Sequence, residues 1–260
     1  MSYWRALAAA LLLTGSFSAI LTGADPAQAR SQRGPLARPV ANPGAVIAAD
    51  IALSQRAAEK GQWKAMSDLA AKNARLFMPE SVEAQSWLKK QPAPGQPLAW
   101  EPHQIWSSCD GSLAATYGVW RRGESEEGSY LTLWQRDKKN NYRWLTTHTQ
   151  PSGHTQPSGH NQPSGHNQPS ETVPDKPEMI QADIAPCSRT ANNSPAPAGA
   201  DVAGIIARIV YDLNAQGSGT SDDNTLIWAS GINAEGAALI QIELWDGTAY
   251  RTAISIPLSE

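Results

Sequence analysis

LAWEPHQIWSSCDGSLAATYGVWRRGESEEGSYLTLWQRDKKNNYRWLTTH, residues 98–148, decides the fold. Apolar and polar side chains alternate with period two along 98–108, 112–122, 129–137 and 142–148, the periodicity of strands with one covered face. Between them lie residues that tolerate the positive φ of tight turns: Asp110-Gly111 in the first break and Lys139-Asn140-Asn141 in the last. The middle break, GESEEG at 123–128, is acidic and suits a solvated turn. These four runs predict an antiparallel meander.

Helical periodicity precedes it. Asn42 is an N-cap with Pro43 at the first helical position, and Ile47, Ile51, Ser54 and Ala58 recur at helical spacing over 43–60. Gly61 ends that helix, and Trp63, Met66 and Ala70 mark a second. Arg75–Met78 reads as a brief strand closed by Pro79, and Ser81 as the cap of a third helix reaching about Lys90. Helices followed by a meander give an α+β fold, with the helices packed on one face of the sheet.

The ends differ in character. Arg5 followed by the uncharged stretch from Ala6 to Leu21, then Ala27-Gln28-Ala29, reads as an export signal over 1–29, with the mature chain starting at Arg30. A Pro/Arg-rich lead (30–41) follows, then the folded region 42–148. Residues 149–176 are a linker built on TQPSGH and NQPSGH hexads, without a large apolar side chain to offset the entropy of ordering. Residues 177–260 form a small β-rich unit with strands expected at 225–231, 237–245 and 249–256; the stretch 204–213 fits a strand or a helix. Trp245-Asp246-Gly247-Thr248 is its clearest hairpin turn. Export places the protein in the periplasm or outside the cell, with no membrane segment in the mature form. There its 2 cysteines, Cys109 and Cys187, can close into a disulfide; two buried thiols or a redox site are the alternatives, and no C-x-x-C supports the latter. A net charge of −3 offers no basic face to nucleic acid.

The order helix, helix with Gly61-Gln62-Trp63, short strand, short helix and meander resembles the nuclear transport factor 2-like superfamily, which includes ketosteroid isomerases, scytalone dehydratase and SnoaL-like cyclases. The matching stretches are AAEKGQWKAM (57–66), RLFMPESVEAQSWL (75–88), SSCDGSLAATYGVW (107–120) and YLTLWQRDKKNNYRW (130–144). The resemblance implies a curved, cone-shaped sheet with helices in its concave face, a pocket between them, and homodimers through the sheet. It also implies where chemistry should lie. The isomerases carry a Tyr on the first helix, and 43–60 has none; the dehydratases use paired His, and His103 stands alone until His148.

Acid–base candidates therefore reduce to Glu101 and His103, two residues apart on one strand, or else the solvent side of an edge strand, which Pro102 favours. Trp106, Tyr117, Trp120, Tyr130 and Trp134 are the candidate lining of an aromatic pocket for a small apolar ligand, or the core of a chain with 10 Trp and only 2 Phe. His154, His160 and His166 repeat every six residues, but nothing in their spacing implies a preformed metal site, and no cofactor motif occurs. The resulting expectation is an exported protein that binds a small apolar molecule or a protein partner; an isomerase, dehydratase or cyclase is the alternative.

Overall fold

The computed structural model describes residues 40–78, 80–152, 179–187, 202–213 and 215–257. The expected export signal, the hexads from 153 onward with His154, His160 and His166, and the polar stretch around 189–199 lie outside the described residues.

Helix α1 (Pro43–Lys60) starts as its sequence dictates: the Asn42 side chain accepts from the Ala45 amide at 3.1 Å, Pro43 opens the first turn, and Gly61, at φ 88°, ends it. Its buried stripe is Val46, Asp50, Leu53 and Ala57, one position ahead of the expected Ile47–Ala58 stripe, and Ile51 is exposed. A carboxylate therefore sits in the buried row. Helix α2 (Gln62–Leu69) follows, and β1 (Arg75–Met78) pairs antiparallel with β2 (Glu80–Glu83). Ser81 thus lies in a strand. The third helix, α3 (Ala84–Leu88), is capped by Glu83, whose carboxylate accepts from the amides of Gln85 and Ser86 at 3.1 and 2.7 Å.

The meander forms as expected: β3 (Ala99–Ser107), β4 (Leu113–Arg122), β5 (Glu126–Arg136) and β6 (Tyr142–Pro151). β6 runs to Pro151, so Thr149, Gln150 and Pro151, expected as linker, belong to the sheet; the Gln150 carbonyl receives the Trp120 indole N–H at 3.3 Å. A fifth strand, β7 (Gln181–Ile184), adds parallel to β3, giving the order β6-β5-β4-β3-β7. Just beyond β7 the Cys109–Cys187 disulfide closes, with Cα atoms 5.2 Å apart. Register shifts at Pro102/Gln104 and Leu133/Trp134 are bulges, the devices by which strands bend. Opposite the first, Gly118 is obligatory: a Cβ there would sit 2.0 Å from the Glu101 carbonyl oxygen.

After β7 the chain supplies a second helix-backed meander. All but the last residue of the ambiguous 204–213 stretch lies in helix α4 (Val202–Asp212), and β8 (Ala215–Thr220), β9 (Leu226–Ile232), β10 (Ala238–Trp245) and β11 (Tyr250–Pro257) make a four-stranded antiparallel sheet. Alternation divides its faces. Ile227, Ala229 and Leu239 pack with Ile209 of α4 and with Leu213 just beyond it, whereas Leu226, Ile240, Ile242 and Leu244 join the core of the first sheet. The layers run helices, five-stranded sheet, four-stranded sheet, helix. The described residues from 40 onward belong to one compact unit, and residues of the second sheet share a core with the first.

Two loops stitch the sheets together, and they are the same loop. Ser108-Cys109-Asp110-Gly111-Ser112-Leu113 joins β3 to β4; Ser221-Asp222-Asp223-Asn224-Thr225-Leu226 joins β8 to β9. In each, the Asp carboxylate takes the Ser hydroxyl (2.7 Å in both) and the amide two residues on (2.8 and 3.0 Å), and the Ser hydroxyl accepts from the Leu amide. The fourth residue has positive φ in both, Gly111 at 66° and Asn224 at 59°. They also exchange bonds reciprocally. The Cys109 amide donates to Thr225 Oγ1 and the Asp222 amide to Ser112 Oγ, each at 2.9 Å, and between them the Asp110 amide donates to Asp223 Oδ2 at 2.8 Å. Second residue binds fifth residue in both directions, which is the pattern of a local two-fold axis.

Candidate functional site

Where α1 crosses β4 and β5, four side chains form a buried polar chain. Trp134 Nε1 donates to Thr116 Oγ1 at 2.9 Å, Thr116 donates to Asp50 Oδ2 at 2.5 Å, and the Tyr130 hydroxyl donates to Asp50 Oδ1 at 2.8 Å. Burial drives the Asp50 carboxyl up to about 6, overcoming the bonds from Thr116, Tyr130 and Trp134 that favour its charge. Tyr130 is pushed well above the ordinary tyrosine range by burial and by the Asp50 charge. A carboxyl that changes charge near neutrality beside a phenol has the makings of acid–base work. Access is the obstacle. Asp50, Thr116, Tyr130 and Trp134 are at most 2% exposed, and both carboxylate oxygens are occupied, so a reactant reaches Asp50 only if one of them moves.

The expected acid–base pair falls elsewhere. Glu101 faces solvent in part and pairs with Arg121 at 3.3 Å, an arginine shared with Glu127 at 3.6 Å; its charge adds to the upward push on Tyr130. His103 is buried as the extra residue of the β3 bulge, between the Pro102–Gly118 and Gln104–Tyr117 pairs, and that bulge breaks the alternation that was to place it beside Glu101. The five aromatic candidates are not brought together. Trp134 and Tyr130 bond within the helix-facing polar chain, and Trp120 shares their face by alternation; Trp106 and Tyr117, paired with Ala115 and Gln104, point to the other face of the sheet. Trp106, Trp120, Tyr130 and Trp134 are all buried, each packed as core.

Open space occurs under α4 instead. A cavity of about 330 Å³ lies between that helix and its sheet, lined by Arg208, Ile209 and Asp212 from the helix and by Gln241, Glu243, Tyr250 and Thr252 from the strands. Glu243 forms its floor and is 4% exposed. Its Oε1 accepts from Gln241 Nε2 at 2.6 Å and Thr252 Oγ1 at 2.7 Å, both neutral donors. The Tyr250 hydroxyl, held at about 12 by burial and the nearby Asp223 charge, stays protonated and donates to the Asn224 carbonyl.

The twin loops align the two sites. Counting from Leu113 and Leu226, the register places Trp134 opposite Ala114 and Glu243 opposite Ile227; the next helix-facing pairs are Thr116–Thr132 and Ala229–Gln241. Glu243 thus stands where the first meander has Trp134, and Gln241 where it has Thr132. Sequence reasoning missed Asp50, which stands outside the expected stripe of Ile47, Ile51, Ser54 and Ala58, and missed the cavity because 204–213 fits a strand as well as a helix. The repeated S-x-D-x-[S/T]-L was the available signal for the second.

Neither a protein-family model nor a curated protein matches the chain. Among solved structures it is similar to a "putative ketosteroid isomerase" from Parabacteroides distasonis ATCC 8503, at 13% identity, over 43% of this chain and 94% of that one, with a TM-score of 0.34, a likeness too low to bear on activity.

Proposed function

We propose that the chain is an exported binding protein whose first meander is a nuclear transport factor 2-like half with a filled interior, whose second meander stands where a partner subunit would dock, and whose ligand enters the cavity beneath α4. The contrast at equivalent positions carries this reading. The indole of Trp134 and the Asp50 network occupy the space between helix and sheet in the first half, whereas Glu243 and Gln241 border about 330 Å³ of open volume in the second. That volume lies at the lower end of the range for small-ligand pockets. Export is supported by the signal-like N-terminus and by the Cys109–Cys187 bridge, and among the described residues no helix is long and apolar enough to cross a membrane. Native mass spectrometry of protein recovered from the periplasm tests the whole: the expected species is a monomer starting at Arg30, two hydrogens light, carrying a small non-covalent adduct. A ligand-free homodimer would sink it.

The second reading, proton transfer of the isomerase, dehydratase or cyclase kind, is favoured by one observation: Asp50, near 6, accepting from Tyr130. It requires the core over Asp50 to open. Turnover of an enolisable cyclic ketone by the native chain and its loss in Asp50→Asn would establish it over the first.

A further inference from the structure

We infer that the cavity beneath α4 selects a small organic ammonium ion and seats its charge on Glu243; this rests on the reading of that cavity as the binding site. Glu243 is a nearly fully buried carboxylate whose charge is met only by an amide and a hydroxyl, and no ion pair to it occurs among the described residues. Burying a charge is costly unless an opposite charge or several donors compensate it. Core positions facing a helix are ordinarily apolar, and the corresponding place in the first meander is taken by Trp134. The second meander instead holds an acceptor at the floor of an open volume, with its orientation set: Gln241 and Thr252 both bind Oε1, which pins the head group.

The walls complete the selection. Asp212 at the rim adds a second negative charge and Arg208 a positive one, so the formal charge of the lining is −1 and favours a cation. Ile209 and Leu213, both buried, supply an apolar side for a short hydrocarbon body. A primary ammonium suits this floor because its several N–H donors can meet one carboxylate and neighbouring hydroxyl oxygens together. A ligand of this kind has a charged head on Glu243, a hydrocarbon body along α4 and only modest size.

Calorimetric titration of the intact mature chain with butylammonium chloride, its neutral counterpart butanol, and calcium chloride tests the assignment. Butylammonium should bind at least tenfold more tightly than butanol. Glu243→Gln, which keeps the Oε1 acceptor for Gln241 and Thr252, should weaken butylammonium at least tenfold with little change in melting temperature. Arg208→Ala, which removes the rim cation, should tighten it. Equal affinities for butylammonium and butanol, both lost in the cavity-filling Ile209→Trp, would overturn the charge assignment but keep the cavity as the binding site. Calcium binding abolished by Glu243→Gln, without amine binding, would replace the ammonium ion with a metal. No heat from any probe at millimolar concentration would overturn both this inference and the reading beneath it.

Discussion

The two meanders face the same packing problem, a helix laid across an antiparallel sheet, and fill the interface in opposite ways. Beneath α1 the gap is closed by Trp134 and by a polar chain anchored on the helix at Asp50. Beneath α4 the carboxylate comes from the strand, no indole fills the register position, and space is left. One sheet face is common to both, the seam where Leu226, Ile242 and Leu244 join the first core. The difference teaches that the seam and the loops that tie it are alike in the two halves, while the outward-facing interfaces differ, one a closed core and the other a pocket.

The largest effects should come from what only one half has. Trp134→Ala should cost about 3–5 kcal/mol, combining lost indole burial with a Thr116 hydroxyl that loses its donor, as read from urea denaturation. Gln241→Ala at the next helix-facing position of the second half, partly buried beside open volume, removes a donor to Glu243 but no filled core and should cost less, about 1.5–3 kcal/mol. Similar losses at both would erase the distinction between closed and open interfaces. Of comparable size is the bridge across 78 residues: replacing Cys109 and Cys187 by Ser should cost about 4 kcal/mol by loop-closure entropy, and an unchanged urea midpoint would show that the seam holds without it.

Acid titration separates closed core from seam. The folded state raises Asp50 from 3.8 to about 6, so the native protein holds a proton that the unfolded chain releases, and stability falls as pH rises from about 4 to 6. His148, at the edge where β6 meets the Pro257 carbonyl, is lowered by burial from 6.5 to about 4. There the unfolded chain holds the extra proton, and stability falls as pH drops from 6.5 toward 4. Each slope amounts to about 2–3 kcal/mol across its window, and they oppose. The native chain should therefore show a nearly flat profile between pH 4 and 6. Asp50→Asn should unmask stability that rises with pH, and His148→Gln stability that falls. A steep native profile, or variants with parallel slopes, would show that the two groups do not titrate as their burial requires.

Much of the first half was legible because its signals are local. Turn chemistry at Asp110-Gly111 and Asn140, period-two strands and the Asn42-Pro43 helix start lie within a few residues of what they specify. Asp50 was illegible for a physical reason: a carboxylate in an apolar stripe counts against burial unless its partners are known, and Thr116 and Tyr130 lie 66 and 80 residues away. The pairing of the aromatics failed for another. A bulge shifts alternation by one residue, and nothing in Pro102-His103-Gln104 announces the one that turns Trp106 away from Trp120; Tyr117 stands three residues from Trp120, so plain alternation sets those two on opposite faces. In the second half, α4 is short enough that apolar content alone could not choose helix over strand. The layering of sheet on sheet is a long-range fact carried by Leu226, Ile240 and Ile256, residues that look the same whichever sheet they cover.

The smallest expected effect is also the most direct measure of the two-fold relation between the loops. Ser112→Ala removes the acceptor for the Asp222 amide, and Thr225→Val removes the acceptor for the Cys109 amide. Two-fold symmetry alone predicts equal losses of about 1 kcal/mol each. Thr225 breaks that symmetry, because its hydroxyl also donates to Asp223 Oδ1 at 2.8 Å, so its loss should exceed that of Ser112 by a further ~0.5–1 kcal/mol. The double variant should be close to additive, since the two bonds share no atom and are joined only through the Asp110–Asp223 contact between them. A coupling above about 1 kcal/mol would mean that the loops open as one cooperative latch. Losses near zero at both positions would mean that water replaces the exchanged bonds at no cost and that the seam is held by its apolar residues and the disulfide alone.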